Sequence, residues 1–387
     1  MPVNSVNGQD GNLILTRTLP DLATTDTVSV TVPTVSTTLG ATSTIASAQA
    51  LFAPNTGPFN YSAGMAFGAS FPDTVLYQPT SRYDYTWGSP PWWSLVFGTD
   101  AQVFEFVYKY ISSASLYRVS IDNRKVSDLM IATGGSSAGS RYTLKFDLGT
   151  AAPRKIRIDG YTLPFGGVFV GPNDSVWRVP FTGKRIMIAG DSLSAGSAQN
   201  TASGGGTWFH RFCRALGYED TWNTAIGGTG YIADNSGASV SLINRSSDVT
   251  TYAPDRLIVW AGYNDTASSQ TAIDAAVRAY FKRIDSSLNS YIVVVGCWNP
   301  IATPAASVIA TDETIRLAAA DMKYPFISPV TGKIYDSNGV QLANGGQWIT
   351  AANITRFIGA DAVHPTDAGH TYLARRLAEA YQLLGNV

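Results

Sequence analysis

Charge is what this chain has least of. Only 14% of its 387 residues are Asp, Glu, Lys or Arg, against roughly 25% in an ordinary soluble domain. The formal net charge is −1. So small an excess of either sign leaves no basic footprint for nucleic acid or an anionic membrane, and neither is expected as a partner. Cysteine is scarce as well: Cys213 and Cys297, each inside an apolar stretch, exclude a disulfide scaffold and read as buried free thiols. The three histidines, His210, His364 and His370, are too few and too scattered for a His-rich metal centre, so no metal is expected. No segment approaches the roughly 18 continuous apolar residues of a membrane span. Met1 to Gln9 shows no basic region leading into an apolar run, so no secretory signal is visible and any export would use a non-standard route. In place of charge the chain carries Ser, Thr, Gly and aromatics, a balance common in extracellular β-rich and sugar-handling proteins. Its length suffices for two domains, each with its own core.

Residues 1–50 read as an arm or as edge strands of the neighbouring domain. Val28-Ser29-Val30-Thr31-Val32 alternates like a strand, but the segment has too few large apolar groups for a core. Residues 51–180 read as a β-sandwich, jelly-roll-like. Phe104, Phe106, Tyr108 and Tyr110 alternate through one strand, and Tyr117 to Ile121 form another. Asp122-Asn123 then offers a hairpin turn into Lys125-Val126. Tyr142 to Phe146 and Lys155 to Ile158 repeat the pattern. The run Tyr83 to Trp93, rich in Trp, Tyr, Pro and Gly, is either a platform on which sugar rings stack or a buried aromatic plug.

From residue 181 to 387 the pattern changes to α/β. Continuous apolar runs at Arg185–Ala189, Leu257–Trp260 and Tyr291–Val295 suit a sheet buried on both faces. Between them, Ile273, Ala276, Val277, Tyr280, Phe281, Ile284 and Leu288 make a helical stripe. A last helix is expected to begin near Thr366. The Asn- and Gly-rich stretch from Asp336 to Gly346 either lines a cleft or loops over it.

Within this half lie four short blocks: Gly190-Asp191-Ser192-Leu193, Asn223 to Gly228, Gly262-Tyr263-Asn264-Asp265, and Asp361-Ala362-Val363-His364. Ser192 directly follows the first strand, where an open α/β sheet binds its ligands. It reads either as a nucleophile or as part of an ordinary helix cap. Gly227 and Gly228 let backbone N–H groups approach a developing anion, or simply form a tight turn. Asn264 can donate an uncharged amide. Asp361 is close enough in sequence to orient His364, and His370 reads as structural.

In this order the blocks resemble the SGNH (GDSL-type) hydrolase superfamily, over roughly residues 183–387. The resemblance implies a three-layer α/β/α, flavodoxin-like domain with a central parallel sheet. It implies Ser192 as nucleophile, His364 as base and Asp361 as orienting acid. Ser192, Gly228 and Asn264 would then form the oxyanion hole, with Gly227 the alternative to its neighbour, and no cofactor would be required. A β domain ahead of such a domain resembles two-domain carbohydrate O-acetyl esterases, which makes an acylated glycan the expected substrate and partner. The opening Val6 to Leu13 also resembles phage tail-fibre proteins. That resemblance implies an alternative: a virion-associated adhesion protein, trimeric as fibres often are, with glycan-binding β domains and an accessory esterase.

Overall fold

The structure, a computed structural model, describes residues 29–62, 92–201, 203–237 and 239–385. Up to residue 183 they form one compact unit, and from 184 onward a second. Val6 to Leu13 and residues 83–91 of the aromatic run lie outside the described residues.

The first unit is all β. Its strands are β1 (Thr34–Leu39), β2 (Asn60–Ser62), β3 (Trp93–Thr99), β4 (Val103–Lys109), β5 (Leu116–Ile121), β6 (Arg124–Lys125), β7 (Ile131–Ala132), β8 (Arg141–Asp147), β9 (Arg154–Tyr161), β10 (Phe165–Val170) and β11 (Val176–Trp177). One sheet runs β1-β8-β4-β10. The other runs β11-β3-β9-β5-β6, with β2 against β3 and β7 against β5. All pairings are antiparallel. The alternation of β4 decides its burial: Phe104, Phe106 and Tyr108 are buried in an aromatic core between the sheets. There Phe104 stacks on its cross-strand partner Phe146, and Phe106 on Phe165, each at 4.8 Å between ring centres. Asp122 and Asn123 both adopt positive φ, 50° and 65°, and join β5 to β6 as the tight turn expected of them. Trp92 and Trp93 are fully buried, so this end of the aromatic run packs inward.

Val28–Val32 is a correction. Within it, residues 29–32 form no strand, and Val30 and Val32 are 91% and 68% exposed. The strand instead begins after Pro33, at β1, on the edge beside β8. Alternation signals a strand only where a neighbour supplies the hydrogen bonds, and Pro33 itself has no N–H to give.

The second unit is α/β. Its sheet order is β13-β12-β14-β15-β16-β17-β18, from β12 (Ile186–Gly190), β13 (Thr221–Asn223), β14 (Arg256–Trp260), β15 (Tyr291–Val295), β16 (Phe326–Ile327), β17 (Lys333–Tyr335) and β18 (Gln341–Asn344). The strands from β13 to β16 are parallel. Every residue of β12 is buried, so the sheet is covered on both faces. The final hairpin is antiparallel. The sheet is thus mixed rather than purely parallel, and residues 336–346 mostly form the turn and edge strand of that hairpin. The main helices are α2 (Trp208–Ala215), α4 (Gln270–Asp285), α5 (Ala306–Asp321) and α7 (Asp367–Leu383), numbered with the short α1 (Ser192–Ala195), α3 (Ser247–Thr250) and α6 (Ile354–Phe357). Helix α4 buries Ile273, Val277, Tyr280, Phe281 and Ile284, the stripe read from the sequence; it ends before Leu288. Thr366 caps α7, its hydroxyl accepting from Gly369 N–H.

Candidate active site

Parallel pairing brings the blocks to one edge. Gly190 at the end of β12 lies beside Trp260 at the end of β14, and Asn223 closes β13 on the other side. The segments leaving these strands carry Ser192, Gly228 and Asn264, and they depart at the sheet's carboxyl edge, the ligand-binding edge of such folds.

Ser192 is the first residue of α1. The cap is Asp191, whose Oδ1 accepts from Leu193 N–H at 2.9 Å. The cap is thus the neighbouring residue, and the Ser192 hydroxyl is left for His364, whose Nε2 is 2.8 Å away. His364 Nδ1 is 2.6 Å from Asp361 Oδ2. Asp361 Oδ1 in turn accepts the N–H groups of Val363 and His364 at 3.0 and 2.9 Å. Ala362 sits at φ +60° between them, the left-handed bend that turns the carboxylate back on the ring. Partial burial works to raise the Asp361 pKa. The two backbone N–H groups and the imidazole outweigh it, and the net shift is downward.

The loop is held from outside. Gln199 Oε1 accepts from Ala360 N–H at 2.8 Å, and Asp367 Oδ2 accepts from the Thr201 hydroxyl at 2.7 Å. Buried Trp298 donates its Nε1–H to Val363 O at 2.9 Å. Trp298 itself packs against Trp260, which also meets Trp208 and Trp348.

The glycine turn lies beside Ser192. Gly228 has φ +71°, and a Cβ there would stand 3.0 Å from Asn235 Oδ1. At Gly227 a Cβ would meet only Ser192 Cβ, at 3.7 Å. Only position 228 therefore demands glycine conformationally. The N–H groups of Ser192, Gly227 and Gly228 have no acceptor among the described residues. Asn264 is exposed and donates from Nδ2 to Thr229 O at 2.8 Å, leaving its second amide proton available. The next residue, Asp265, accepts from the N–H groups of Tyr231, Ile232 and Ala233 at 2.7–3.0 Å. Asn223 donates to Ser194 O at 2.7 Å, tying the second block to the helix of the first.

Sequence reasoning does not find Gln199, Trp298 or Asp367, and it names Asp265 within the third block without giving it a role. Asp367 stands near a motif residue, which is the only signal it carries. Cys213 and Cys297 are both buried free thiols, as expected.

His370 takes no part in the hydrogen bonds linking Ser192, His364 and Asp361: its Nδ1 accepts the Trp208 N–H at 3.1 Å inside the core. Burial drives its pKa down to about 3, with the charges of Arg211 and His364 adding to the effect. The unfolded value is about 6.5. The folded pKa is thus the lower, so the neutral ring contributes fully above about pH 6.5 and loses its contribution as pH falls from there toward 3. We expect His370→Gln to show a shallower loss of stability than wild type between pH 6 and 4, by about one proton per molecule. Urea denaturation across that range measures it, and parallel slopes would refute it.

Residues 188–372 match the family described as GDSL-like Lipase/Acylhydrolase. No curated protein matches the chain. Among solved structures, the chain is similar to a family two carbohydrate esterase from Cellvibrio japonicus at 14% identity, covering 91% of this chain and 99% of that one, with a TM-score of 0.57. It is similar to the acetyl xylan esterase Est2A from the rumen bacterium Butyrivibrio proteoclasticus at 14% identity, covering 74% and 88%, with a TM-score of 0.50. It is also similar to the salicylyl-acyltransferase SsfX3 of a tetracycline biosynthetic pathway at 13% identity, covering 88% and 99%, with a TM-score of 0.60. At these identities the structures share a fold. The family match carries the rest: residues 188–372 are a GDSL-like lipase/acylhydrolase domain, and the protein is a carboxylic ester hydrolase.

Proposed function

We propose that this protein removes acetyl groups from a polysaccharide or cell-surface glycan, using Ser192, His364 and Asp361. The observation that carries the catalytic part is the unbroken chain from Ser192 Oγ through the His364 ring to Asp361, at 2.8 and 2.6 Å. In this reading His364 Nε2 takes the Ser192 proton as Oγ attacks the ester carbonyl, while Asp361 holds the imidazolium at Nδ1. The N–H groups of Ser192 and Gly228 and the Asn264 amide receive the negative oxygen. As the carbonyl carbon's bond to the sugar oxygen breaks, His364 protonates that oxygen, and the sugar leaves as a free hydroxyl. Water, deprotonated by the same ring, releases acetate from Ser192.

The glycan part is supported by the two-unit likeness to carbohydrate esterases, which extends across 91% of the chain in one of them. An acyl-enzyme of this kind serves a transferase equally well, and what decides is the acceptor. The exposure of Asn264 and the partial exposure of Ser192 and His364 favour water.

Release of p-nitrophenol from the acetate, butyrate and octanoate esters, with acetate release from acetylated xylan, tests the proposal. Acetate is expected to be the best of the three by about tenfold or more, the discrimination a small pocket gives against added methylenes. A preference for octanoate would sink the acetyl assignment. Product acylated on an added alcohol, with no free acid, would sink hydrolysis.

A further inference from the structure

One buried cation lies beneath the oxyanion side of the site. Arg245 precedes α3 and is 6% exposed. Its Nε donates to Val240 O at 3.0 Å, and one terminal nitrogen donates to Thr224 O at 2.6 Å. The other donates to Gly190 O at 2.6 Å and to Thr229 Oγ1 at 3.1 Å. Gly190 ends the strand that delivers Ser192. Thr224 and Thr229 bracket Gly228, and Thr229 O is the acceptor of the Asn264 amide. One guanidinium therefore grips the backbone on both sides of the proposed hole, and reaches the third donor through Thr229.

The Asp248 carboxylate stands 3.9 Å away, beyond hydrogen-bond distance, so the close contacts of this charge are peptide carbonyls and a hydroxyl. A buried cation is costly to keep, and here burial pushes its pKa down. A planar five-donor fork can span several carbonyls at fixed angles, which an ammonium cannot do.

We propose that Arg245 is a positioning residue that sets the spacing of Ser192 N–H, Gly228 N–H and the Asn264 amide. The proposal rests on the esterase reading of Ser192. A hole held from beneath is preorganised, so loosening it should harm the transition state more than the bound ester.

The test compares wild type, Arg245→Lys and Ser192→Ala on p-nitrophenyl acetate, with active sites counted by a fluorophosphonate label. For Arg245→Lys, turnover per labelled site is expected to fall about 10- to 100-fold with KM within about threefold, the signature of a weakened oxyanion hole. Affinity for a phosphonate mimic of the tetrahedral state should weaken in parallel. If Arg245 only braces the fold, labelled sites become fewer and the melting temperature drops, but each remaining site turns over at the wild-type rate; that result overturns the proposal. Should Arg245→Lys not fold, Thr229→Val removes one acceptor of the guanidinium and is read the same way. A several-fold loss per labelled site supports the proposal, and no loss refutes it. Absence of Ser192-dependent turnover in wild type would instead remove the esterase reading and this proposal with it.

Discussion

Ser192→Ala is expected to lower kcat/KM for p-nitrophenyl acetate by about 10⁴- to 10⁶-fold, the range seen when a serine hydrolase loses its nucleophile. The fold should not notice the change. Ser192 is half-buried at the mouth of the sheet, and the cap of α1 is supplied by Asp191 rather than by the serine. No buried packing is lost, so stability should move by no more than about 0.5 kcal/mol, as for a surface substitution. The hydroxyl's partner is His364, which is exposed enough to take a water in its place. Kinetics together with a thermal melt check both halves. More than about 1% residual activity in a folded variant would mean that the nucleophile is another group or an activated water, since loss of the attacking atom cannot leave that much.

The parts of this site legible in the sequence are those whose chemistry is local. Asp361 and His364 need only three residues of separation for the carboxylate to reach Nδ1. The Gly227-Gly228 pair signals a turn in the sequence, and the structure places the positive φ at Gly228. The apolar runs of β12, β14 and β15 imply a sheet buried on both faces, and parallel pairing then carries the motif residues to one edge. Asp122-Asn123 is readable as a turn for the same reason as Gly228: the residue types fit a rare backbone conformation. Val28–Val32 misleads because a strand is a property of two segments, and periodicity describes one. The hairpin of β17 and β18 is obscured by the Asn and Gly of its turn and by an exposed, weakly apolar edge strand. Arg245 has no local signal at all. Its importance comes from Gly190, 55 positions earlier, meeting Thr224 and Thr229 around one guanidinium, and only the folded chain brings them together. Trp298 is similar: in sequence it is one more apolar residue after a strand, and its bond to Val363 O exists only once β15 and the Asp361–His364 loop are neighbours.

Asp361→Asn should damage the enzyme more than Asp361→Ala, although it is the smaller change in shape. The carboxylate does two jobs with two oxygens. Oδ1 accepts the N–H groups of Val363 and His364, and Oδ2 faces His364 Nδ1. An amide has only one oxygen. If that oxygen stays with the backbone N–H pair, the NH₂ group faces Nδ1 and selects the tautomer with its proton on Nε2. Nε2 then donates toward Ser192 Oγ and cannot receive its proton, the arrangement that costs about 10⁴-fold in a serine protease triad. If the amide flips, its NH₂ group points at two backbone N–H groups and the Ala362 bend loses the contacts that hold it. Alanine imposes neither fault. The Asp361 side chain is 35% exposed, so water can enter the vacated space and accept from Nδ1–H, leaving the working tautomer available. We expect a loss of about 10³- to 10⁴-fold for Asn and about tenfold less for Ala, the difference being the tautomer. Parallel kcat/KM measurements on the two folded variants decide it. An Asn variant as active as the Ala variant, or more so, would mean that Asp361 acts through its charge alone and does not choose the face of the ring that meets Ser192.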